Sequence, residues 1–177
     1  RNNILTGAAT VGAGDTYITE YLSNILTTLN YEFKGERAAE IQGSYDVSAT
    51  LVGFRKEQDK VITIWTKDYQ LVPNTPFQAT DSTLQLTRDL SLSLRSYNDF
   101  VERFSKETKI SCETNLVVRW NVNLEAKTDK GVIRETALPT LIIPVNKSYF
   151  NISGEPKVEK KAALEDSVTR TLPVNYK

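Results

Sequence analysis

Carboxylates are the side chains of this chain best suited to acid–base chemistry, because the sequence contains no histidine. Histidine is the usual general base and the commonest zinc ligand. Glu32, Glu36 and Glu40 cluster around one predicted loop, and Asp129 and Glu135 flank a predicted hairpin. A glycoside hydrolase needs two carboxyl groups across a cleft. Charged residues are exposed by default. We therefore interpret these five as solvated surface and predict that the protein is not an enzyme.

Cys112 is the second candidate for chemistry, and it is the single cysteine of the chain. One cysteine excludes an internal disulfide and a thiolate metal cluster. A nucleophilic thiol needs a nearby histidine or positive charge. Cys112 shares the strand parity of Leu116 and Trp120, so we expect a buried, inert thiol. Its replacement by serine or alanine should leave any binding intact and cost about 1–2 kcal/mol if the thiol is buried.

A calcium loop of the D-x-D-x-D-G type is absent from the sequence. With neither histidine nor a cysteine pair, the residue types for a transition-metal site are also lacking. The sequence therefore predicts no catalytic residue, no cofactor and no metal.

Aromatic and polar side chains provide candidates for binding. Trp65 and Tyr69, in IWTKDYQL, share one strand parity and could stack on a sugar, although large aromatic residues more often anchor a core, which is the interpretation we favour for Trp65. In NLVVRWNVNLEAKTDKG, Arg119 and Asn121 lie on the polar parity of a predicted strand. Trp65, Tyr69, Arg119 and Asn121 are therefore the candidate binding residues.

Charge and hydropathy limit the partners. The chain has 22 basic and 22 acidic residues, so it lacks the positive field that attracts nucleic acid. No run of 18 apolar residues occurs, so we expect membrane attachment only through segments outside this chain. The partners that remain are another protein or a glycan.

Period-two alternation dominates the sequence and predicts half-buried antiparallel strands. The clearest run alternates from Leu116 to Ala126, with Trp120 at the expected centre of the core. We predict an all-β antiparallel sandwich, Ig-like or jelly-roll-like, with about seven to nine strands. FRKEQDK and TDKG read as hairpin turns, FKGERAAEIQGSY as a long polar connection, Arg88 as a bulge or strand end, and Pro139 as a bend or edge.

One segment departs from this period. SYNDFVERFSKE places Tyr97, Phe100, Val101 and Phe104 on one helical face, and its Ser96 and Asp99 resemble a capping box. The sequence therefore predicts one short helix that covers an end of the core.

The predicted domain organisation has three parts. Residues 1–16 form a flexible entry segment, residues 17–154 the β-sandwich, and residues 155–177 a C-terminal tail that could supply a final strand.

The order of these segments resembles a known family. The chain resembles the prokaryotic domain-of-unknown-function (DUF) family 5305 over about residues 17 to 154, and the similarity could extend into the tail. The similar segments are NYEFKGE, IQGSYDVSATL, IWTKDYQLVPNTPF, a leucine-rich strand, a short helix and LPTLIIPV. Gly43-Ser44-Tyr45, Trp65-Thr66-Lys67, Tyr69 and Leu71 carry the similarity. The resemblance implies an extracytoplasmic domain, at the cell surface or membrane-anchored, in an archaeon or bacterium, and it transfers no catalytic residue.

Two functions remain open at this stage. The leading hypothesis is a non-catalytic extracytoplasmic β-sandwich that makes protein or envelope contacts. The alternative is a carbohydrate-binding module that uses Trp65 and the tyrosines. An exposed aromatic row would favour the module, and a fully buried Trp65 would favour the contact domain.

Overall fold

Antiparallel strands make up most of the residues that the structure describes. The computed structural model describes residues 10–11, 17–18, 22–147, 149–150, 153–155, 158–161, 165–171 and 174–176, with side chains for 24–147. The elements are β1 (Thr10–Val11), β2 (Tyr17–Ile18), β3 (Leu22–Glu57), β4 (Lys60–Ser93), α1 (Leu94–Thr108), β5 (Glu113–Thr128), β6 (Gly131–Ala137), β7 (Thr140–Val145), β8 (Tyr149–Phe150), β9 (Ser153–Glu155), β10 (Val158–Lys161), β11 (Glu165–Thr171) and β12 (Val174–Tyr176). The predicted all-β antiparallel fold with one short helix is confirmed.

The β3–β4 hairpin is the framework of the fold. The two strands pair antiparallel from Asn24↔Ser93 to Glu57↔Lys60, and the chain turns at Gln58 and Asp59, where Gln58 has a φ of 53°. The predicted hairpin tip at residues 54–60 is therefore correct. A strand of 36 residues would extend roughly 120 Å if straight, which far exceeds the radius of gyration of about 16 Å expected for a compact chain of this length.

A large bulge bends the hairpin. Residues 35–38 of β3 lie opposite Ser82 alone of β4, because the register passes from Lys34↔Thr83 to Ala39↔Asp81. At the same place β3 changes its other neighbour: β11 pairs with residues 28–34 and β5 with residues 40–54. The bulge therefore divides the sheet into two arms.

The two arms face each other. The Tyr31 hydroxyl, in the first arm, donates to Glu135 Oε2 on β6, in the second, at 3.3 Å. Arg88 Nε, in the first arm, donates to the Tyr45 hydroxyl, in the second, at 3.2 Å. Both contacts need the sheet to fold back on itself. The sandwich is thus made by one ten-stranded sheet, and β2 and β8 form a separate two-stranded sheet among the described residues.

The inner faces of the arms form a single core. Trp120 is 1% exposed, and Val118 and Val122 are buried beside it, as predicted. Arg119 is exposed as expected, but Asn121, expected to be exposed, is half-buried. The Trp120 amide donates to the Pro139 carbonyl at 3.0 Å, which bridges the break between β6 and β7 and confirms the bend at Pro139.

Two predictions from local sequence were wrong. FKGERAAEIQGSY is the central part of β3, because its polar residues lie at the bulge and on the solvent face while Ala39, Ile41 and Tyr45 stay buried. Arg88 does not interrupt β4. It remains in register opposite Leu29, and its side chain can stay on the inner face because the Tyr45 ring and hydroxyl contact it.

Two smaller features also differ from expectation. Cys112 is half-buried rather than buried, because it lies in the irregular segment before β5 begins at Glu113. The helix is present but begins at Leu94, with Ser93 as N-cap and no capping hydrogen bond from its side chain. Ser96 is therefore a helical residue, and its Oγ lies 3.0 Å from Ser93 Oγ.

The chain ends add strands to this sheet. β11 and β12 pair with β3, β10 pairs with β11, and β1 pairs with β12. With these short strands the described residues contain twelve strands rather than the predicted seven to nine. Of the predicted flexible entry segment, residues 1–9 and 12–16 lie outside the described residues.

Glycines opposite aromatic residues allow close cross-strand packing. Gly53 pairs with Trp65 and Gly43 with Phe77, and a Cβ at either glycine would overlap the aromatic ring opposite it. Glycine leaves room for a ring to lie across the neighbouring strand, and the ring in turn covers the exposed backbone.

Replacing Gly53 with alanine should lower the free energy of unfolding by about 1–3 kcal/mol, because the Trp65 indole must move. Alanine would otherwise be favoured over glycine in a strand by roughly 0.5–1 kcal/mol, so the sign of the change reports the overlap. Urea unfolding measures it, with Ser48→Ala on the solvent face as control. In a Trp65→Leu background the cost should shrink, and an unchanged cost would contradict this packing.

Candidate binding groove

Helix α1 starts where β4 ends and packs against the other arm of the same strand. Leu94, Tyr97 and Val101 are its buried side chains. Lys109 ends the helix with a φ of 61°, and its amide donates to the Ser105 carbonyl at 2.9 Å, the usual left-handed C-cap arrangement. The Asn98 side chain accepts a 2.6 Å hydrogen bond from the Asn146 amide after β7. The helix is therefore held both by its buried side chains and by the segment that follows β7.

Aromatic side chains join α1 to the first half of β4. The Trp65 ring centroid lies 4.6 Å from that of Phe104 and 6.2 Å from that of Phe100. Tyr69 meets Tyr97 edge to face, with centroids 5.4 Å apart and planes at 88°. Such pairs each contribute about 0.5–1.5 kcal/mol beyond their buried area. These contacts fix the position of the helix.

A groove of about 450 Å³ lies between α1 and the two arms of β4. We call it the β4–α1 groove. Its apolar and aromatic lining consists of Tyr69, Leu71, Leu90, Leu92, Tyr97 and Phe100. Its polar lining consists of Ser91, Ser93, Ser96 and Arg103. The volume is in the range of about 300–1,000 Å³ that is typical of ligand sites.

Two cations border the groove. Lys67 Nζ lies 4.1 Å from the Phe100 centroid and 5.3 Å from the Tyr69 centroid. The guanidinium carbon of Arg103 lies 5.9 Å from the Phe100 centroid. Both side chains are exposed. The rim of the groove is therefore positively charged, with each cation placed by an aromatic ring.

The groove also alters the acidity of its tyrosines. Burial raises the pKa of Tyr69 above its usual value of 10.0, and the Arg103 guanidinium acts in the opposite direction. Burial likewise raises the pKa of Tyr97, and the neighbouring Tyr69 raises it further. Both hydroxyls therefore stay protonated through the neutral range and can serve as hydrogen-bond donors.

The candidate residues from the sequence are divided between two places. Trp65 and Tyr69 come together on the inner face of β4, where both are half-buried. Arg119 and Asn121 lie on the outward polar face of β5. There Asn123 donates to Asn121 Oδ1 at 3.4 Å. The fold therefore separates the two pairs, and the β4–α1 groove uses only the first.

Several polar side chains of the outward face contact one another across the strands. Thr136 donates to Asn123 Oδ1 at 3.0 Å, and Arg134 Nε donates to Glu125 Oε2 at 3.0 Å. The hydrogen bond from Arg134, with help from the charges of Arg134 and Lys127, lowers the pKa of Glu125. A shallower cavity of about 230 Å³ lies on this face, but its charged groups already have partners.

Phe100 and Arg103 were not identified from the sequence as site residues. Their signal was the amphipathic helix, which places Tyr97 and Phe100 on one face with Arg103 three residues beyond. That face was assigned to the core. This helix face lines a groove only because β4 folds back towards the helix, which the sequence pattern does not show.

The carboxylates considered first are dispersed. Glu36 and Glu40 are exposed, and Asp129 accepts a hydrogen bond from Arg37 at 3.1 Å. Glu32 pairs with Lys34 at 3.3 Å. Within the described residues, no group of three or more acidic or cysteine side chains is placed to hold a metal ion. The same part of the chain contains no helix long and apolar enough to span a membrane.

Comparison with known proteins gives one match. The model of a family of unknown function, DUF5305, matches residues 65–177. The match contains every lining residue of the β4–α1 groove and extends through the tail, whereas the resemblance of the sequence segments began at about residue 17 and could extend into the tail. No curated protein and no solved structure matches.

Replacing Tyr97 with phenylalanine should reduce the loss of stability at alkaline pH. Because its pKa is raised on folding, Tyr97 contributes stability that is present below about pH 10 and is lost as the pH rises through the folded value. Urea unfolding from about pH 8 to about pH 11 should therefore show a flatter decline for Tyr97→Phe than for wild type. Phe100→Leu, which removes an aromatic ring without a titrating group, should keep the wild-type slope. Equal slopes for Tyr97→Phe and wild type would contradict the shift.

Proposed function

The chain belongs to the DUF5305 family of unknown function, and from this premise we propose that it is a non-catalytic binding domain that contacts another protein of the cell envelope. The β4–α1 groove is the contact surface. The observation that carries the proposal is the combination of a ligand-sized cavity, an aromatic lining and a rim of cations that have no carboxylate partner among the residues the structure describes.

A binding role fits the groove better than a catalytic one. Its described lining contains hydroxyl groups, apolar side chains and one guanidinium; none of these described residues supplies a carboxylate or a thiol that could act as base or nucleophile. The raised pKa of its tyrosines keeps them protonated. Binding therefore draws on apolar contact, hydrogen bonds and positive charge.

The location of the domain is part of the proposal. We place it outside the cytoplasmic membrane, at the cell surface or attached to the membrane through segments outside this chain. The support is the similarity of its motifs to an extracytoplasmic family. A groove with half-buried aromatic residues suits a stable contact with a second envelope protein.

A carbohydrate-binding module is the second candidate. It is favoured by the half-buried Trp65 and Tyr69 beside a groove, since sugars stack on aromatic faces. The arrangement is less suitable for stacking, because Phe104 and Phe100 lie close to the Trp65 ring and Lys67 lies over the Tyr69 ring. A protein partner therefore explains the groove better.

Site-specific photo-crosslinking in the producing cell tests the contact. A photoreactive amino acid in place of Ser96, an exposed lining residue, should yield one crosslinked product of defined mass. The partner in that product should be the same protein that is recovered with the wild-type chain when the chain is purified without crosslinking. The same amino acid in place of Arg119, on the outward face, should yield none. Crosslinking from position 119 alone would contradict the groove as contact surface, and a glycan adduct from position 96 would favour the carbohydrate-binding module.

Labelling of intact cells tests the location. A variant with Cys112→Ser and Lys130→Cys carries one thiol at an exposed hairpin tip. A membrane-impermeant maleimide should label it in intact cells as strongly as in permeabilised cells. Labelling only after permeabilisation would contradict a position outside the cytoplasmic membrane.

A further inference from the structure

We infer that the β4–α1 groove binds an extended acidic peptide segment of the partner protein, with a large apolar side chain in the groove and carboxylates on Arg103 and Lys67. The inference rests on the proposed function and names the chemistry of its partner.

The groove follows the backbone of β4. Leu90, Ser91, Leu92 and Ser93 are consecutive residues, and all four line it. Neighbouring residues of a strand point to opposite faces, so a cavity that touches four in a row runs along the edge of the strand. One edge of β4 is paired with β3, so the groove lies along the other edge.

That edge offers backbone groups to a partner. Among the described residues, β4 pairs with no strand except β3. An unpaired edge presents a row of N–H and C=O groups to which an extended peptide can add as a further strand. Pro73 and Pro76 lack the amide hydrogen needed for such pairing, but the part of β4 from residue 82 to residue 93 contains no proline. Backbone pairing selects a peptide over a lipid or a sugar.

The charge of the site selects an acidic peptide. Lys67 and Arg103 form no ion pair with any side chain that the structure describes, whereas several other cations do. The two acids nearest along β4 are engaged on the outward face: Asp68 accepts from Thr50 at 2.7 Å and Asp89 from Thr28 at 2.7 Å. None of the described residues that line the groove is acidic. Carboxylates of an occupant would give these cations charge-assisted hydrogen bonds.

The apolar part of the site selects the central side chain of that peptide. Tyr97 and Leu92 are buried, and Tyr69, Leu90 and Phe100 are half-buried around the same space. An aromatic or large aliphatic residue would cover them and remove them from water, which is how the central residues of an interface contribute most of its binding energy.

Fluorescence anisotropy with a synthetic peptide tests the inference. The probe is a short labelled peptide with leucine and phenylalanine at its centre and glutamates on both sides; its twin has lysine in place of each glutamate. The intact chain should bind the glutamate peptide at least about tenfold more tightly than the twin. Arg103→Glu and Lys67→Glu should each weaken that binding about tenfold or more. Arg95→Glu, the same change at an exposed position of α1 outside the groove, should leave the affinity unchanged.

A charge exchange guards against misfolding as the cause of lost binding. The double variant Lys67→Glu, Arg103→Glu should bind the lysine peptide more tightly than the glutamate peptide, which an unfolded chain would not do. Arg103→Gln, which removes the charge with little change in size, should give an intermediate loss. Circular dichroism of each variant should match the wild type.

Three outcomes would overturn the inference. In the first, the intact chain binds the two peptides with equal affinity. In the second, Arg119→Glu loses binding and Arg103→Glu does not. In the third, the chain binds vesicles with anionic headgroups but does not bind the glutamate peptide. The last would assign the cations to a lipid surface. If crosslinking from position 96 still captures one envelope protein in any of these cases, the proposed function stands and only the acidic peptide is wrong.

Discussion

The inner face of β3 must be shielded from water along its whole length, and the rest of the structure depends on this constraint. Its buried side chains extend from Ile25 to Phe54, a stretch that would be roughly 100 Å long if straight and thus longer than a compact domain of this size. The bulge at residues 35–38 solves the problem because it lets the first half of the strand cover the second. Apolar burial at about 25 cal/mol per Å² then acts across both arms at once.

The fold-back of β3 also forces β4 to fold back, and that creates the groove. Because β4 follows β3 from end to end, its residues near 70 and near 91 are brought to the same side of the sandwich. Helix α1 lies beside the space between them and is held there by the Tyr69–Tyr97 and Trp65–Phe104 contacts, while the second edge of β4 is left without a strand partner among the described residues. The fold-back of β3 and β4 covers the core, and at the side next to α1 it also leaves a cavity that is bordered by a strand edge and a helix face.

Charges are arranged differently on the two surfaces of the sandwich. On the outward face, Arg134 and Lys127 both pair with the Glu125 carboxylate. Exposed pairs of this kind contribute little to stability, but they already give these two cations a carboxylate partner. Beside the groove, Lys67 and Arg103 rest on aromatic rings instead of carboxylates. The chain has no net charge as a whole, so the positive charge of Lys67 and Arg103 is a local property of the surface beside the groove.

The sequence by itself determined the features that depend on neighbours in the chain. Alternation from Leu116 to Ala126 specified β5 and the burial of Trp120, the charged tip and Gly131 specified two hairpin turns, and the 3.6-residue period from Tyr97 to Phe104 specified α1, because each follows from local geometry. Tertiary structure alone decided that β3 continues through residues 33–45, that Arg88 stays in β4 with the Tyr45 ring, and that Arg103 meets Lys67 at one groove. An alternation of period two does not predict where a sheet bends or which distant residues the bend brings together. The reason is that polar residues are equally compatible with a bulge, a loop and a solvent-exposed strand face.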